Sequence, residues 1–402
     1  MRQRWGLATV IVALLAPWPA TSAGASAQSD HEVLTALAHR YLHDRATRVT
    51  AGFVPLDAAN RAVLTGVGAA RAFSQRIAAE TAELDRLRAR FAATLTEFSH
   101  AQVTIEHAET TVAGGVAELR LTETTDLYLA ARGRSADAPS ATSYRLGHTL
   151  RFDRSGGAWL LSADVLRLPQ DALDPIPYVN AQKSDPPARQ EKPTGPGIPA
   201  GMVAATPDGP RKPRAATDQL TPAAPFNRQA AVDYAKRWAK DRNLFEYNVY
   251  GNDCANFLSQ IFRNGGWTNV GSINEPDGPD KWWINYPSIY PTDSRTWPIS
   301  HELAAFGWYY SQRLRPYANE PARQGDAIFA DWDNASGAPG TDQHLDHSMF
   351  ITALLDPWDW EGIFVSYHTV DQLNISMGAV VEKVRARGNP SFGGVYYFMD
   401  TR

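Results

Sequence analysis

Cysteine is nearly absent from this sequence, because Cys254 is the only one in 402 residues. One cysteine cannot form an internal disulfide, so no disulfide framework stabilises the chain. A single thiol is a buried structural group, half of a bridge to another chain, or a group kept for chemistry. The residues around it in the sequence distinguish these three cases.

An excess of positive charge is also absent. The chain carries 39 Lys and Arg against 43 Asp and Glu, a formal net charge of −4. Nucleic-acid phosphates require a clustered basic face, so we expect no nucleic-acid partner, and we expect no cofactor. The length, with 44% hydrophobic residues, favours two or more globular domains.

Long apolar runs are missing except at the N-terminus. Residues 1–27, MRQRWGLATVIVALLAPWPATSAGASA, place two arginines before a short apolar run that prolines and small residues follow. This order predicts a secretory signal peptide cleaved near Ala27 or Ala23, with an uncleaved anchor as the alternative. No later stretch approaches about 18 consecutive apolar residues, so we expect a secreted protein without a stable membrane span after cleavage.

The sequence after the signal peptide divides into three parts, of which residues 28–168 are the first. They show a helical pattern from His31 to about Phe98, then four strand-like runs separated by glycine turns. The pattern predicts two helices and a four-stranded antiparallel sheet, an α+β order that resembles nuclear-transport-factor-2-like (NTF2-like) proteins. The histidines here lack metal-ligand spacing and are interpreted as surface or satisfied side chains: His31, His39, His43, His100, His107 and His148.

Residues 169–225 form the second part and hold nearly half of the 27 prolines. Such a composition cannot build a core and predicts an extended, solvated linker. Residues 226–402 form the third part. They begin with a helix, FNRQAAVDYAKRWA, for which Asn227 is a suitable N-cap, and end with strand-like runs. Helices first and strands later predict an α+β domain with a largely antiparallel sheet.

The lone cysteine lies in the third part, in GNDCANFLSQIFRNGGW. Apolar residues after it recur at helical spacing up to Gly265, and Asp253 is a suitable N-cap, so Cys254 falls in the first turn of a helix. The positive end of the helix dipole favours a thiolate there. Because Asp253 opposes this effect, a cation such as a histidine is needed nearby.

Two later histidines are candidates for that role. His347 precedes the strand-like residues 348–355, and His368 ends the run 363–368. If the two strands pair, Cys254 can act as nucleophile, His347 as base and a third group as its orienting partner, with the Cys254 amide stabilising the oxyanion. A zinc site at His344, Asp346 and His347 is the alternative, but strand alternation separates these side chains, so we expect no metal.

Several pieces of this part resemble the amidase-domain proteins of bacteria, which are related in organisation to papain-like and NlpC/P60 cysteine peptidases. The resemblance covers residues 226–399 and rests on the opening helix, DCANFLSQIFRNGGW, SRTW at 294–297, Gly-Asp at 325–326, DHS at 346–348 and SYHT at 366–369. It implies a papain-like fold with Cys254 as nucleophile and His347 as base. The third member stays open: His368 is preferred, with Asp346, Asp326 and Asn374 as alternatives.

These observations together predict a secreted bacterial cysteine amidohydrolase or peptidase. It would cleave an amide bond through a thioester, with cell-wall peptides as a candidate substrate. The alternative is a non-catalytic protein that binds a peptide or glycan on a hydrolase scaffold, since fold does not establish turnover.

Overall fold

The computed structural model describes residues 29–53, 71–130, 138–186, 204–207, 226–288, 292–333, 340–387 and 389–402. The predicted signal peptide and most of the predicted linker lie outside these ranges, so both stay predictions. Within the described ranges, every helix is too short or too polar to cross a bilayer.

Two helices and four long strands form the N-terminal half, in the predicted order. Helix α1 begins with a capping box, in which the Ser29 hydroxyl accepts the Glu32 amide and the Glu32 carboxylate accepts the Ser29 amide. The strands pair as an antiparallel meander. The elements are α1 (Asp30–Thr47), α2 (Arg71–Ala92), β1 (Phe98–Ala113), β2 (Val116–Leu129), β3 (Ala141–Ser155) and β4 (Ala158–Pro169).

The C-terminal half places helices before most of its strands. Asn227 caps the first of them, because its side-chain oxygen accepts the Ala230 amide at 3.0 Å, as predicted. A short strand, β5 (Gln182–Asp185), precedes this half. The elements that follow are α3 (Arg228–Trp238), α4 (Cys254–Asn264), α5 (Ser300–Ala305) with a π-helical turn (Phe306–Tyr310), β6 (Leu314–Tyr317), β7 (Ala327–Asp331), β8 (His347–Leu354), β9 (Ile363–Tyr367), β10 (Asp371–Ser376), α6 (Met377–Arg385) and β11 (Val395–Thr401).

One sheet runs through both halves, in the order β1-β2-β3-β10-β9-β8-β7-β11-β6, and β4 pairs with a further stretch of β3. The halves join where β10 lies antiparallel to β3, with Gln372 opposite Tyr144. The Gln372 amide reinforces this join by donating to the Ser143 carbonyl at 2.7 Å. The fold is therefore mixed α+β with a large antiparallel sheet, and β5 adds a parallel pairing to β4. The division into separate domains stays a prediction.

Residues 170–181, which we call the post-β4 segment, were assigned to the linker but pack against both halves. Ile176 and Tyr178 are buried. The Lys383 ammonium, from α6, donates to the carbonyls of Ile176 at 2.9 Å and Tyr178 at 2.6 Å. The prolines at 175 and 177 did not prevent packing here, because neighbouring side chains bond backbone groups that the segment does not pair itself.

Candidate active site

Cys254 is the first residue of α4, as predicted, and its side chain is buried with 2% of its surface exposed. The apolar face of α4 positions it, since Phe257 and Ile261 belong to the same core cluster as Phe329 of β7 and Phe350 of β8. Gly265 follows the last residue of the helix, also as predicted. The start of α4 is thereby held against the beginning of β8.

The thiol has polar neighbours, and none of the contacts given for it among the described residues is with a cation. Its S–H donates to the side-chain oxygen of Asn252 at 3.2 Å, and the Ser300 hydroxyl lies 3.3 Å from the sulfur. Burial raises the pKa of Cys254 above its ordinary value, although Ser300 and Ser348 form hydrogen bonds that oppose this rise. The resting thiol is therefore neutral, in contrast to the thiolate expected from the helix dipole alone, because desolvation outweighs the dipole.

His347 is the first residue of β8 and is also buried, with 6% of its surface exposed. Its ring stacks on Trp332, with centroids 4.9 Å apart, and meets the edge of Tyr367 at 4.8 Å. Its Nε2 atom is buried and has no hydrogen-bond partner among the described residues. Burial lowers the pKa of His347 to about 3, so the imidazole is neutral and can accept a proton only when its surroundings change.

The structure brings Cys254 and His347 to the same end of β8 but not into a hydrogen bond. Successive side chains of a strand point to opposite faces. Ser348 bonds the thiol and lies on the face of β8 that α4 covers. His347 is two residues before Met349, so the two side chains share the other face, where Met349 belongs to a different core cluster. Asn252 connects the two sides, because it bonds the thiol and also lines the cavity at His347.

His368 follows β9, which pairs antiparallel with β8 as predicted. Its Nδ1 lies 2.9 Å from the Asp253 carboxylate and its Nε2 2.9 Å from the Trp238 carbonyl, and its ring stacks on Phe257 with centroids 3.7 Å apart. Both nitrogens are therefore engaged away from His347. The hydrogen bonds give no support to His368 as the group that orients His347, and a catalytic role for it stays a prediction.

Asp253 holds the N-cap position of α4 but does not cap the helix with its side chain. Its carboxylate instead bonds Arg242, His368 and the side chain of Asn256, at 2.8 Å for the last. Burial alone would raise the pKa of Asp253, but the His368 hydrogen bond and the Arg242 charge outweigh it and hold the pKa below its ordinary value. This ion-paired group fixes where α4 starts.

Thr369 is a site residue that the sequence did not reveal. Its hydroxyl donates to the Asn252 oxygen at 2.9 Å and accepts the Asp253 amide at 3.2 Å. Its φ of 90° is a strained value for a β-branched residue, of a kind that clusters at functional sites. Thr369, rather than His368, lines the cavity beside His347.

Of the alternative third members, Asp346 alone lines that cavity. Its carboxylate accepts the backbone amides of Trp332 at 2.7 Å and Asp333 at 3.0 Å. Asp326 is bonded by the Arg228 guanidinium at 2.6 Å, and the Asn374 side chain accepts a hydrogen bond from Thr352 at 2.8 Å. Asp326 and Asn374 thus have structural partners elsewhere.

The structure does not support the alternative of a zinc site at His344, Asp346 and His347. Among the described residues, no group of three or more His, Cys, Asp or Glu side chains is placed to hold a metal ion. The Nδ1 atom of His344 lies 3.5 Å from the Asp342 carboxylate, and its ring is perpendicular to that of His301 with centroids 5.3 Å apart.

Two of the residues that sequence reasoning missed left a local signal. Asn252 is a polar residue two positions before the cysteine, and Ser300 starts a helix shortly after a proline. Such residues are common at helix starts, however, so the signal did not connect them to Cys254.

The comparisons with known proteins each cover less than half of the chain. Two curated proteins from Bacillus subtilis (strain 168) are similar to this chain: the uncharacterized protein YjcM, 26% identical over 159 residues, and the uncharacterized protein YhbB, 26% identical over 131 residues. These matches cover 39% and 32% of this chain but only 34% and 37% of the relatives, so about a third of each relative is spanned.

A solved structure, the Kfla4162 protein from Kribbella flavida, aligns at 22% identity over 21% of this chain and 55% of that chain, with a TM-score of 0.18. That likeness carries no argument about the fold. Residues 225–388, in contrast, match the model of a family described as "Putative amidase domain". This match supports placing residues 225–388 in an amidase-domain family.

Proposed function

We propose that this protein is a cysteine amidohydrolase or peptidase in which Cys254 is the nucleophile and His347 the base. The amidase-domain match indicates amide-bond hydrolysis in general terms. The observation that supports the cysteine mechanism lies inside the matched residues. The only thiol of the chain starts a helix and bonds Asn252, which lines the same cavity as His347. The Nε2 atom of that imidazole has no hydrogen-bond partner among the described residues.

We further propose a papain-like arrangement for residues 226–402 and an NTF2-like one for residues 28–168. A helix that carries the nucleophile and packs on an antiparallel sheet supports the first. Two helices followed by four antiparallel strands support the second. No single residue motif distinguishes the second from other α+β units.

The reaction begins with transfer of the thiol proton from Cys254 to the neutral imidazole of His347. This transfer requires the two groups, now on opposite faces at the end of β8, to come into contact when substrate displaces the Asn252 hydrogen bond. The thiolate attacks the amide carbon, forming a C–S bond, while the Cys254 amide at the start of α4 donates to the oxyanion. The resting structure is thus an inactive, closed form of the site.

Collapse of the tetrahedral intermediate breaks the C–N bond, and the imidazolium gives its proton to the departing amine. The thioester that remains is attacked by water, whose proton passes to His347. Release of the carboxylic acid returns the proton to the sulfur and restores the thiol. An amine in place of water would give acyl transfer instead.

Substitution Cys254→Ala tests this mechanism through the release of amine from a panel of amides that includes cell-wall peptides. We expect loss of all hydrolysis that the wild type shows. Since the chain has one thiol, the wild type alkylated to completion with iodoacetamide, as checked by mass spectrometry, is a matched test that must show the same loss. Hydrolysis that survives both treatments would sink the mechanism.

Secretion and a role at the cell wall are further parts of the proposal, motivated by the N-terminal sequence. N-terminal sequencing of protein from the culture medium should find a start near residue 28. Co-sedimentation of the full-length Cys254→Ala protein with purified cell-wall material should exceed that with cellulose. Equal sedimentation with both would remove the cell-wall role.

One observation favours the second candidate function, a non-catalytic protein that binds a peptide or glycan. The thiol is buried, neutral and not bonded to His347. Two results together would support this second function. The wild type would hydrolyse no amide, and the alkylation of Cys254 would stay slow when a ligand is bound.

A further inference from the structure

Thr369 occupies a turn position that a threonine fits poorly. Residues 368–370 connect β9 to β10, the antiparallel strands that pair Tyr367 with Gln372. Thr369 has a φ of 90° there, a backbone conformation that glycine adopts freely and asparagine tolerates in turns. A β-branched side chain is strained at such a φ. The geometry of the turn does not account for a threonine, so the explanation has to come from the contacts of its side chain.

The Thr369 hydroxyl contacts the two residues that directly precede Cys254. It gives its only proton to the side-chain oxygen of Asn252 at 2.9 Å. It accepts the backbone N–H of Asp253 at 3.2 Å. The chain enters α4 through these two residues, with Asp253 at the N-cap and Cys254 as the first helical residue. One hydroxyl thus holds both a side chain and the backbone at the start of α4.

Asn252 extends this contact to the sulfur. Its Oδ1 atom accepts the S–H of Cys254 at 3.2 Å as well as the Thr369 hydroxyl. A side-chain carbonyl oxygen has two lone pairs, so the two donors fill it and restrict rotation of the amide. The Ser300 hydroxyl, 3.3 Å from the sulfur, approaches from α5. The thiol therefore lies between a group that Thr369 fixes and a group that α5 fixes.

The turn has another anchor, His368, which is independent of the Thr369 hydroxyl. The Nδ1 atom of His368 lies 2.9 Å from the Asp253 carboxylate, and its Nε2 lies 2.9 Å from the Trp238 carbonyl. Its ring also stacks on Phe257 of α4. Because His368 attaches the turn to α4, the Thr369 hydroxyl is not needed for that attachment and acts on the residues beside the thiol.

We propose that Thr369 is a positioning residue of the cysteine reaction, because its hydroxyl, acting through Asn252, sets where the Cys254 sulfur lies. The inference rests on the proposed function for the role of Cys254 as nucleophile. When the sulfur gives its proton to His347, the S–H···O bond is lost, and Thr369 remains as a donor to the Asn252 oxygen. The amide thus stays in place through the reaction, and the sulfur bonds the same acceptor when its proton returns.

Two full-length variants remove the hydroxyl. Thr369→Val keeps the shape of the side chain, and Thr369→Gly also relieves the strain of the positive φ. Alkylation of Cys254 by iodoacetamide is followed by mass spectrometry across a pH series. Without the hydroxyl, Asn252 can rotate away, and the sulfur loses the acceptor that favours its protonated form. Asp253, whose charge also acts on the thiol, is unchanged. We expect the midpoint of the pH profile to fall by about half a unit or more in both variants.

The kinetics of the wild type and both variants give a second measurement. Misplacing a nucleophile slows the chemical step, so kcat for an amide that the wild type hydrolyses should fall about tenfold or more. Because Thr369 acts on the sulfur rather than on the amide, KM should change by less than about twofold. A turn that had only loosened would lower the stability to urea without this split between kcat and KM.

Two controls separate positioning from a structural role. Thr369→Ser retains the hydroxyl and should restore the wild-type midpoint and kcat. Thr401→Val removes a buried hydroxyl on β11 that donates to the Gly325 carbonyl at 2.6 Å. It should lower stability without moving the midpoint or kcat. An unmoved midpoint in Thr369→Val and Thr369→Gly, or an equal shift in Thr369→Ser, would overturn the proposal. If Thr369→Val does not fold, Thr369→Gly decides the test.

The failure of this inference is distinguishable from failure of the proposed function. If the wild type hydrolyses amides and both hydroxyl-free variants keep its kcat and midpoint, Thr369 is not a positioning residue and the hydrolase proposal stands. If the midpoint falls as expected but the wild type hydrolyses no amide, the hydrogen-bond chain from Thr369 to the sulfur is supported and the hydrolase proposal fails.

Discussion

Two buried histidines, one in each half, show how partners decide the charge of the same side chain. His148 has no exposed surface, and its two nitrogens lie 2.9 Å from the carboxylates of Asp164 and Glu123. Burial would lower its pKa, but these carboxylates outweigh burial and raise it to about 9. His347 is similarly buried without such a partner, and its pKa falls to about 3. Burial sets one direction, and ion pairs reverse it.

The surroundings of His148 explain why it is structural. Tyr144 and Tyr178 donate to Glu123 at 2.8 and 2.6 Å, and Tyr41 donates to Asp164 at 2.9 Å. Both carboxylates of this cluster thus accept hydrogen bonds from His148 and from tyrosines, as a buried network requires. The Nε2 atom of His347, in contrast, has no hydrogen-bond partner among the described residues, which suits a group that must exchange a proton with a substrate.

The largest expected effect is on stability, and the matched pair His148→Gln and His347→Gln measures it. His148→Gln leaves two buried carboxylates without their cation and should cost about 3–5 kcal/mol of unfolding free energy. His347→Gln leaves every side-chain hydrogen bond given for the described residues in place and should stay within about 1 kcal/mol. Urea denaturation of both full-length variants gives the values, and equal losses would refute the comparison.

The next largest expected effect is on how stability changes with pH, and His148 determines it at alkaline pH. The pKa of His148 is raised from about 6.5 in the unfolded chain to about 9. Its contribution is therefore fully present below pH 6.5 and is lost as the pH rises through 9, amounting to about 3 kcal/mol. The stability gap between the wild type and His148→Gln, measured with urea from about pH 6 to 10, should narrow accordingly. A constant gap would show that His148 is not charged in the folded protein.

At acidic pH the sign is opposite for His347. Because its folded pKa is about 3, its neutral form is favoured, and the stability present above pH 6.5 is lost as the pH falls. The wild type should lose about 2–3 kcal/mol more than His347→Gln between about pH 6.5 and 4.5. The same urea series, extended downwards, measures it. Parallel curves for the two proteins would mean that His347 reaches solvent.

The smallest expected effect is on the reactivity of Cys254 in the resting protein. Burial raises the pKa of the thiol, so the folded chain should react with iodoacetamide more slowly than the urea-unfolded chain. As the sulfur bonds Asn252 and Ser300 rather than His347, His347→Gln should change the folded rate by less than about twofold. Fast alkylation at about pH 5–6 that depends on His347 would instead reveal a preformed thiolate-imidazolium pair.

Local patterns in the sequence predicted what local interactions determine. Hydrophobic spacing located α4, β8 and the four strands of the N-terminal half, and residue type located the Asn227 cap. It missed β10, whose six residues alternate weakly, and the pairing of β10 with β3, which depends on residues more than 200 positions apart. It also assigned Asp171 to a linker, because composition does not reveal that Lys383 bonds the carbonyls of this segment. The sequence did not predict which face of β8 carries His347, because that depends on which residues of the strand α4 covers.

The pairing of β3 with β10 has a consequence for dissecting the gene. A fragment that encodes residues 226–402 alone would leave the outer edge of β10 without its partner strand and uncover the sheet face around Met349 and Ile351. Open edges and apolar faces recruit other chains, so such a fragment should aggregate. The family match marks where the amidase residues lie along the chain, whereas soluble production of them depends on a strand encoded more than 70 codons upstream.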